Sequence, residues 1–542
     1  MILDLLIVGA GPVGLTLAIE CRRHGVNFRI IDRNLVHSSR SKALVLWSGT
    51  QEHLASMGVM EEFLKVALPL RHFRFADHGK IINDIPSHSD IDSPYPLPLI
   101  LPQSNTEKIL ENHLESLGTN VERGVELICF HQDEEYVSLK LTKPDGSKEE
   151  VQVKYLAGCD GARSVVRHGL PVTFEGETES LGFVLVDAKV KGEIENDAML
   201  ISWGVEFSVA FFPVKPGVFR MFTQRKDRSN KIVPTLEEMQ EYLNLTGLGH
   251  LHLYDPEWLS YFDVNERVAS RNRVGRVFLL GDASHIHSPA GGQGMNTGMQ
   301  DAVNLGWKLG FLSKGLSNQE LLAESYFQER HPVATTLVNE TTKLLHTGIT
   351  NSSLLRVAKD LLVGILLRLP ILQKFFTEKL SEMNIHYSLS DFIEKNSDAS
   401  ASRHQQVGWR VYDAPVIDPK TNQEVSLWQR FLHPMHTLVV FSGADPSEEL
   451  IPSIRKLLTR KEEIPMKTIV VWQERITPKS LAGTTLLDPE GKAHRYFSLS
   501  EPTWFLIRPD LYVAARGIIG NPAAEICLNR YLEKLASPNI AS

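Results

Sequence analysis

The residues of this chain that could do chemistry on a phosphorylated ligand gather in three glycine-bearing stretches. The first is Gly9-Ala10-Gly11-Pro12-Val13-Gly14, set between an apolar run at 3–8 and a helix-like segment reaching Arg23. A second strand-like run, residues 26–31, ends at Asp32-Arg33. The pattern is a βαβ unit with GxGxxG after its first strand and an acid closing its second. Each part has a mechanical reason. Gly9 permits a tight turn, Gly11 lets a pyrophosphate approach the backbone, and Gly14 lets helix and strand pack closely, while the Asp32 carboxylate can hydrogen-bond a ribose hydroxyl. Together they predict a dinucleotide site.

The second stretch, residues 276–309, opens on a short apolar run suited to a strand buried on both faces. It reaches Gly281-Asp282, crosses a loop with Gly291, Gly292 and Gly294, and turns helical from about Met295. Strand, small-residue loop and helix N-terminus make a place where backbone N–H groups can meet an anion. The third, residues 155–164, is another apolar strand ending in Asp160-Gly161, with Arg163, Ser164 and Arg167 beyond. An acid at a strand's carboxyl end is where open α/β sheets bind ligands; an Asx-turn closing the strand accounts for the same residues. Arg40 and Lys42 are cations that could face a pyrophosphate, or a solvated basic turn. His285 and His287 form an HxH pair, but no third ligand stands at metal spacing.

Several elements must position these residues. Residues 73–75 and 81–82 flank an Asp77-His78-Gly79 turn, and prolines 94, 96 and 98 return the chain to Gln103. Ser104 and Glu107 have capping-box spacing before a helix with Leu110, Leu114 and Leu117 on one face. Residues 183–192 alternate with a period of two, and 207–212 and 218–224 flank a Pro213…Pro216-Gly217 hairpin signal. A mostly antiparallel sheet over 178–270 is therefore predicted, inserted in the nucleotide domain, with Trp203, Phe207, Phe211, Phe212 and Phe222 as candidates for an apolar pocket. Helices follow to about residue 396, then a small polar linker, NSDASASRH. Beyond it, strands at 437–441, 468–471 and 512–515 alternate with helices at 447–459 and 522–535. Where a thioredoxin-type domain carries CxxC, this chain reads Ser442-Gly443-Ala444-Asp445, which excludes thiol redox chemistry there.

At 542 residues the chain is too long for one core. With 42% hydrophobic and 23% charged residues it has a soluble globular composition, and a net charge of −8 argues against nucleic acid as a partner. Four scattered cysteines without CxxC read as reduced thiols in a cytoplasmic protein. No signal peptide or transmembrane segment is expected; the apolar residues 361–367 are too few to span a bilayer.

In this order, GAGPVG at 9–14, Asp160-Gly161 and GDASH at 281–285 resemble the signatures of class A flavoprotein aromatic monooxygenases, the para-hydroxybenzoate hydroxylase superfamily. The resemblance is strongest to its phenol-hydroxylase and polyketide-hydroxylase branch, since Arg508-Pro509-Asp510…Tyr512-Val513-Ala514 is similar to that branch's thioredoxin-like appendage. It implies an α/β chain: a Rossmann-like FAD-binding domain (1–72, 100–177 and 271–335) with an inserted, mostly antiparallel substrate sheet (73–99 and 178–270). A helical segment (336–396), a linker (397–404) and a thioredoxin-like α/β domain without CxxC (405–542) would follow.

The resemblance also implies FAD as the resident cofactor. Gly9, Gly11, Gly14, Asp32 and Arg33 would hold its ADP half, with Arg40 and Gln103 along it. Gly281-Asp282 would meet the ribityl chain, and Pro289 would lie near the isoalloxazine. Gly292, Gly294 and Met295 would present backbone N–H groups to the flavin N1–C2 carbonyl edge, with Asn296 beside them. Asp160 would contribute to FAD and NAD(P)H contacts. NAD(P)H docks transiently in such enzymes, and no second GxGxxG is present here. Oxygen then adds at flavin C4a, and its distal hydroxyl passes to a phenolic or polycyclic aromatic substrate. Two positions depart from the pattern: Leu44, where some phenol hydroxylases carry an aspartate, and Gly49, where an arginine is common. No acid in the inserted sheet stands out as a catalytic base. A reductase or epoxidase on the same scaffold, or a non-catalytic flavin-binding module, would use the same residues, and a homodimer is left open.

Overall fold

The computed structural model describes residues 2–37, 43–88, 91–205, 207–225, 229–289, 291–316, 318–348, 369–394, 403–459, 464–475, 478, 481 and 485–536. Arg40, Lys42, residues 361–367 and most of the 397–404 linker lie outside these.

The strand Leu3–Val8 shows why the first sheet forms. Leu5, Leu6 and Ile7 are fully buried on both faces, as a central parallel strand requires. It pairs in parallel with Phe28–Asp32 on one side and Lys148–Gly158 on the other, and the latter pairs in parallel with Val277–Leu279. Val8 is in register with both Ile31 and Gly158, and Gly158 with Leu279. All three glycine-bearing stretches therefore leave the sheet at one edge, side by side.

Two helices descend from that edge, Pro12–Arg23 and Gly294–Leu312. They approach unusually closely because the second presents Gly298, Ala302, Gly306 and Gly310 at four-residue spacing. A Cβ on Gly298 would stand 2.7 Å from Val13, one on Gly306 2.4 Å from Glu20 Cβ, and one on Gly310 2.7 Å from His24 Cβ. Glu20 is buried at this contact, which alone would raise its pKa; Arg23 and His24 hold it down at about 2.

A second sheet runs in the order His285–Ile286, His252–Ala269, Phe174–Lys191, Val218–Gln224, Ser208–Lys215, Ala198–Trp203, His72–Asp77, Lys80–Pro86. It is antiparallel except where Ala198–Trp203 meets His72–Asp77. Its alternation sorts its side chains. Val184, Val186, Phe211, Phe219 and Met221 pack under the helix Leu236–Leu245, while Phe73, Phe75, Met199 and Val218 face Leu44, Val45 and Trp47.

A third sheet holds seven strands between Pro415 and Ile518. Thr485–Leu487, Met466–Trp472 and His436–Phe441 are parallel, and Thr503–Ile507 and Val513–Ile518 continue antiparallel, a thioredoxin-like arrangement. Ile451–Leu458 and Pro522–Ala536 pack on it.

One local expectation fails. The helix Gln103–Ser116 starts before Ser104, with Pro102 at the N-cap and no side-chain cap. The extended Pro102 (φ −52°, ψ 136°) begins the helix one residue early. Glu107 then accepts from Gln103 Nε2 at 2.9 Å instead of closing a capping box.

Candidate active site

The site is built at the shared sheet edge. Gly9 turns the chain at φ +102°, and a Cβ there would sit 2.4 Å from the Cys159 carbonyl oxygen. A Cβ on Gly14 would fall 1.9 Å from the Gly9 carbonyl oxygen, so this glycine lets helix and turn touch. Gly11 differs, because the space where its Cβ would point is empty to 4 Å. It is also the N-cap of the helix Pro12–Arg23, and no side chain caps that helix. The carboxylate of Asp32 accepts from Ala10 N at 2.9 Å and Asn34 N at 2.8 Å, tying the second strand's end to the glycine turn. A carboxylate has about four acceptor positions, so room remains for ribose hydroxyls. Arg33 is exposed beside it.

Gln103 links this region to the next. Its N–H donates to Ala43 O at 3.1 Å, and its Oε1 accepts from Ala43 N at 3.2 Å. Nearby, Arg123 donates to Glu111 at 2.5 Å and lies 4.0 Å from Asp32, while His37 contacts Glu107 and Glu111. Local spacing carries no mark of this charged cluster; the pairing of Asp32 with Arg123 across two short strands creates it.

At the opposite end, Gly281–Ala283 forms a single 3-10 turn that packs on Val13 and Gly298. Asp282 is exposed there, as is Pro289 farther along the loop. The helix Gly294–Leu312 begins at Gln293 without a side-chain cap, leaving its first N–H groups directed outward. The His287 ring lies against it: a Cβ on Gly294 would be 2.7 Å from His287 Nε2. That Nε2 is buried without a hydrogen-bond partner, while Nδ1 lies 2.6 Å from Ser288 O. Burial, then His285, lowers the His287 pKa to about 4, so the ring is neutral.

Asn296 is fully buried, and its side chain serves the protein itself. It accepts from Trp47 N at 2.9 Å and donates to Val45 O at 2.9 Å and Gly292 O at 3.0 Å. It thereby staples the 45–47 segment to the loop before the helix. Trp47 Nε1 adds a bond to Gly291 O at 3.0 Å. A second staple centres on Asp301, which receives Gly281 N at 3.1 Å, His285 Nε2 at 2.8 Å and Arg330 Nε at 2.7 Å. Arg330 is fully buried and also donates to Thr297 O at 3.0 Å and Tyr387 Oη at 3.2 Å. His285 is thus committed to the protein, and among the described residues no group of three metal-capable side chains occurs.

Asp160 behaves as the turn residue of the simpler reading. It accepts from Ser164 Oγ at 2.5 Å, Val165 N at 2.7 Å and Val166 N at 3.2 Å, starting the short helix Val165–His168. Gly161 takes φ +76° beside it.

The aromatic residues divide between the faces of the second sheet. Trp203 stacks on Phe75 at 5.7 Å and Phe212 on Phe222 at 5.8 Å. Phe376, from the helix Pro370–Leu380, meets Phe73 and Phe75 edge-on at 6.0 and 6.3 Å. Phe211 and Phe207 lie on the other face, against Phe219 and Tyr242. Leu44 and Trp47 join the Phe73–Phe75 cluster from the nucleotide domain.

Three features of this cradle suit a flavin dinucleotide: the open space at Gly11, two uncapped helix N-termini on one edge, and the orphaned His287 nitrogen. The comparisons agree. Residues 3–341 match the family model described as FAD binding domain. The chain is 30% identical over 521 residues to 12-dehydrotetracycline 5-monooxygenase/anhydrotetracycline 6-monooxygenase of Streptomyces rimosus, covering 94% of each chain. It is 30% identical over 518 residues to pentachlorophenol 4-monooxygenase of Sphingobium chlorophenolicum, covering 94% of this chain and 93% of that one. The solved anhydrotetracycline hydroxylase OxyS of Streptomyces rimosus superposes with a TM-score of 0.76 at 29% identity, over 99% of this chain and 100% of that one.

The chain belongs to the FAD-binding-domain family, and within it to the class A flavoprotein aromatic monooxygenases. It is an FAD-dependent oxidoreductase with NAD(P)H as co-substrate. No described helix is long and apolar enough to cross a membrane.

Proposed function

We propose that this monooxygenase hydroxylates a phenolic or polycyclic aromatic compound held between the inner face of the second sheet and the 44–47 segment. One observation carries the reading: Asn296 bonds the 45–47 backbone to the very loop that starts the helix Gly294–Leu312. An aromatic layer of Trp47, Phe73, Phe75 and Trp203 is thereby held in register with the flavin-edge helix. By their names, the two relatives above are monooxygenases of 12-dehydrotetracycline and anhydrotetracycline and of pentachlorophenol, the last a phenol.

Gly9, Gly11, Gly14, Asp32 and Gln103 would hold the ADP half of FAD, with Arg33 and Arg40 flanking it. Gly281 and Asp282 would meet the ribityl chain, and Pro289, Gly292, Gly294 and Met295 the ring edge. Asn296 acts by positioning that loop, and Asp160 by shaping the turn at which the coenzymes meet. FAD held there would supply the hydride-accepting and O2-activating chemistry. This chain's residues do the remaining work. The uncapped N-terminus of the helix Gly294–Leu312 places positive potential where negative charge develops on reduction. The apolar layer orients the substrate ring and keeps water from it.

We infer three domains, at 1–72 with 100–177 and 271–335, at 73–99 with 178–270, and at 405–542, joined by the helical segment 336–396 and the 397–404 linker. Cys21, Cys129 and Cys159 are in no disulfide, which supports a reducing, cytoplasmic setting.

The test is direct. Purified protein should be yellow, NAD(P)H oxidation should accelerate with an aromatic substrate, and 18O from O2 should appear in the product. Substrate-stimulated NAD(P)H oxidation with no labelled product would favour a reductase instead.

A further inference from the structure

Glu382 stands just beyond the helix Pro370–Leu380, 7% exposed, at φ +59°. A left-handed, buried glutamate is uncommon, and such residues are held in place by their surroundings. Here the surroundings are the first turns of the helix Gly294–Leu312. Thr297 Oγ1 donates to Glu382 Oε1 at 2.8 Å, and Gln300 Nε2 to Oε2 at 2.6 Å. The opposite wall is the helix Ser48–Ser56. Gly49 N donates to Ser381 O at 3.1 Å, and a Cβ on Gly49 would lie 3.3 Å from the Ser381 and Glu382 carbonyl oxygens. The absent side chain at 49 is what admits this segment so close to the flavin helix.

Among the described residues no lysine, arginine or histidine lies within ion-pair distance of this carboxyl. The charges facing it are Arg330, already bound to Asp301 at 2.7 Å, and Asp301, also held by His285. Tyr387 meets Arg330, not Glu382. On its own segment, Lys379 pairs with Glu340 at 3.0 Å and Glu378 accepts from Asn384 at 3.5 Å. The helix Ser48–Ser56 contributes Thr50, which does not titrate, and Glu52, which is paired with Arg410. Glu382 is thus an uncompensated acid bonded to the fourth residue of the helix whose opening N–H groups would meet the flavin.

Resting on the flavoenzyme reading above, we propose that Glu382 is a positioning residue that holds a proton for flavin reduction. Hydride transfer from NAD(P)H delivers two electrons and one proton to the flavin and leaves NAD(P)+. The negative charge that results at the pyrimidine edge is balanced by a solvent proton taken up on the Glu382 carboxylate, whose two oxygens are already oriented by Thr297 and Gln300. Burial supports this: it raises the Glu382 pKa to about 8, against the opposing pull of the Thr297 bond and Arg330. The group therefore changes charge around pH 8, and added negative charge nearby moves its affinity for protons upward.

The experiment counts protons. FAD holoenzyme is photoreduced anaerobically near pH 8 with a pH indicator, and the dependence of the flavin potential on pH is measured beside it. Wild type should take up more than one proton per two electrons, with a correspondingly steeper potential slope around that pH. Glu382→Gln, which keeps the shape and one of the two acceptor oxygens but cannot take up a proton, should return to one proton and the shallower slope. A merely structural role would change flavin affinity without changing the count. One proton in wild type overturns the proposal on a protein that needs no mutation, as does an excess that survives in Glu382→Gln. Failure of the protein to take up FAD at all would overturn the functional reading together with this one, whereas normal flavin reduction with a one-proton count sinks only the role of Glu382.

Discussion

Gly11 and Gly14 stand one helical turn apart and serve different ends. A methyl group at Gly11 meets no protein atom, whereas one at Gly14 strikes the Gly9 carbonyl oxygen. We expect Gly11→Ala to leave the thermal midpoint of flavin-free protein unchanged while weakening FAD binding at least tenfold by fluorescence titration. Gly14→Ala should instead destabilise the flavin-free fold itself; equal effects on both would refute the division. Asn296 makes a different kind of contribution, since Asn296→Ala orphans Trp47 N, Val45 O and Gly292 O. Each buried unsatisfied group costs about 1–3 kcal/mol, so denaturant midpoints should drop well below those of a surface control. Glu382 adds a pH dependence. Its pKa in the fold is raised to about 8, so between the ordinary glutamate range and pH 8 the folded chain holds a proton that the unfolded chain has released. Stability must then fall as pH rises through that window. Thermal scans from pH 5 to 9 should show the decline in wild type and a flatter profile in Glu382→Gln.

At the scale of elements, the decisive contact is between the helices Pro12–Arg23 and Gly294–Leu312, whose N-termini both face FAD in the proposed site. The stripe Gly298, Ala302, Gly306, Gly310 sets their separation. Gly306→Leu would drive a side chain into Glu20, and overpacking of this kind costs about 1–3 kcal/mol or more. We expect a lower thermal midpoint together with weaker FAD binding, because the N-termini are pushed apart; a midpoint within one degree of wild type would count against the account. The strands that carry the three chemical stretches were legible because each is an apolar run ending in a glycine or Asp-Gly. The start of the helix Gln103–Ser116 was misread, since a proline N-cap leaves no polar signature and Ser104 offered a misleading one. The two faces of the second sheet were half legible: alternation separates Val184 and Val186 from their neighbours, but nothing local says which face meets the helix Leu236–Leu245 and which meets Trp47.

Across the whole molecule, two buried ionic contacts bind the thioredoxin-like region to the rest. Arg410 pairs with Glu52, and Arg508 bridges Glu329 at 2.8 Å and Asp510 at 2.5 Å, with Lys308 also 2.8 Å from Glu329. Asp510 accepts from Trp307 Nε1 at 3.1 Å, so this cluster rests on the helix Gly294–Leu312. Removing one member of a buried pair leaves an uncompensated charge, a loss of about 3–5 kcal/mol. Arg508→Met should therefore lower the global denaturation midpoint and split one cooperative transition into two; a single transition at the wild-type midpoint would show the regions to be uncoupled. The sequence by itself determined a dinucleotide site, because a GxGxxG turn and its ribose acid are a local solution to binding a pyrophosphate and a ribose, and the three motifs in order carried the family resemblance that implied FAD. It also determined that the third sheet carries no thiol chemistry, since Ser442-Gly443-Ala444-Asp445 has no cysteine to oxidise. Only the tertiary structure decided that Asn296 and Asp301 act as staples and that Asp160 caps a turn, because hydrogen bonds spanning some 250 residues, as between Asn296 and Trp47, leave no mark on local spacing. It decided likewise that Glu382 is a buried acid beside the flavin helix, for burial and an absent countercharge belong to packed neighbours rather than to any residue in the chain alone.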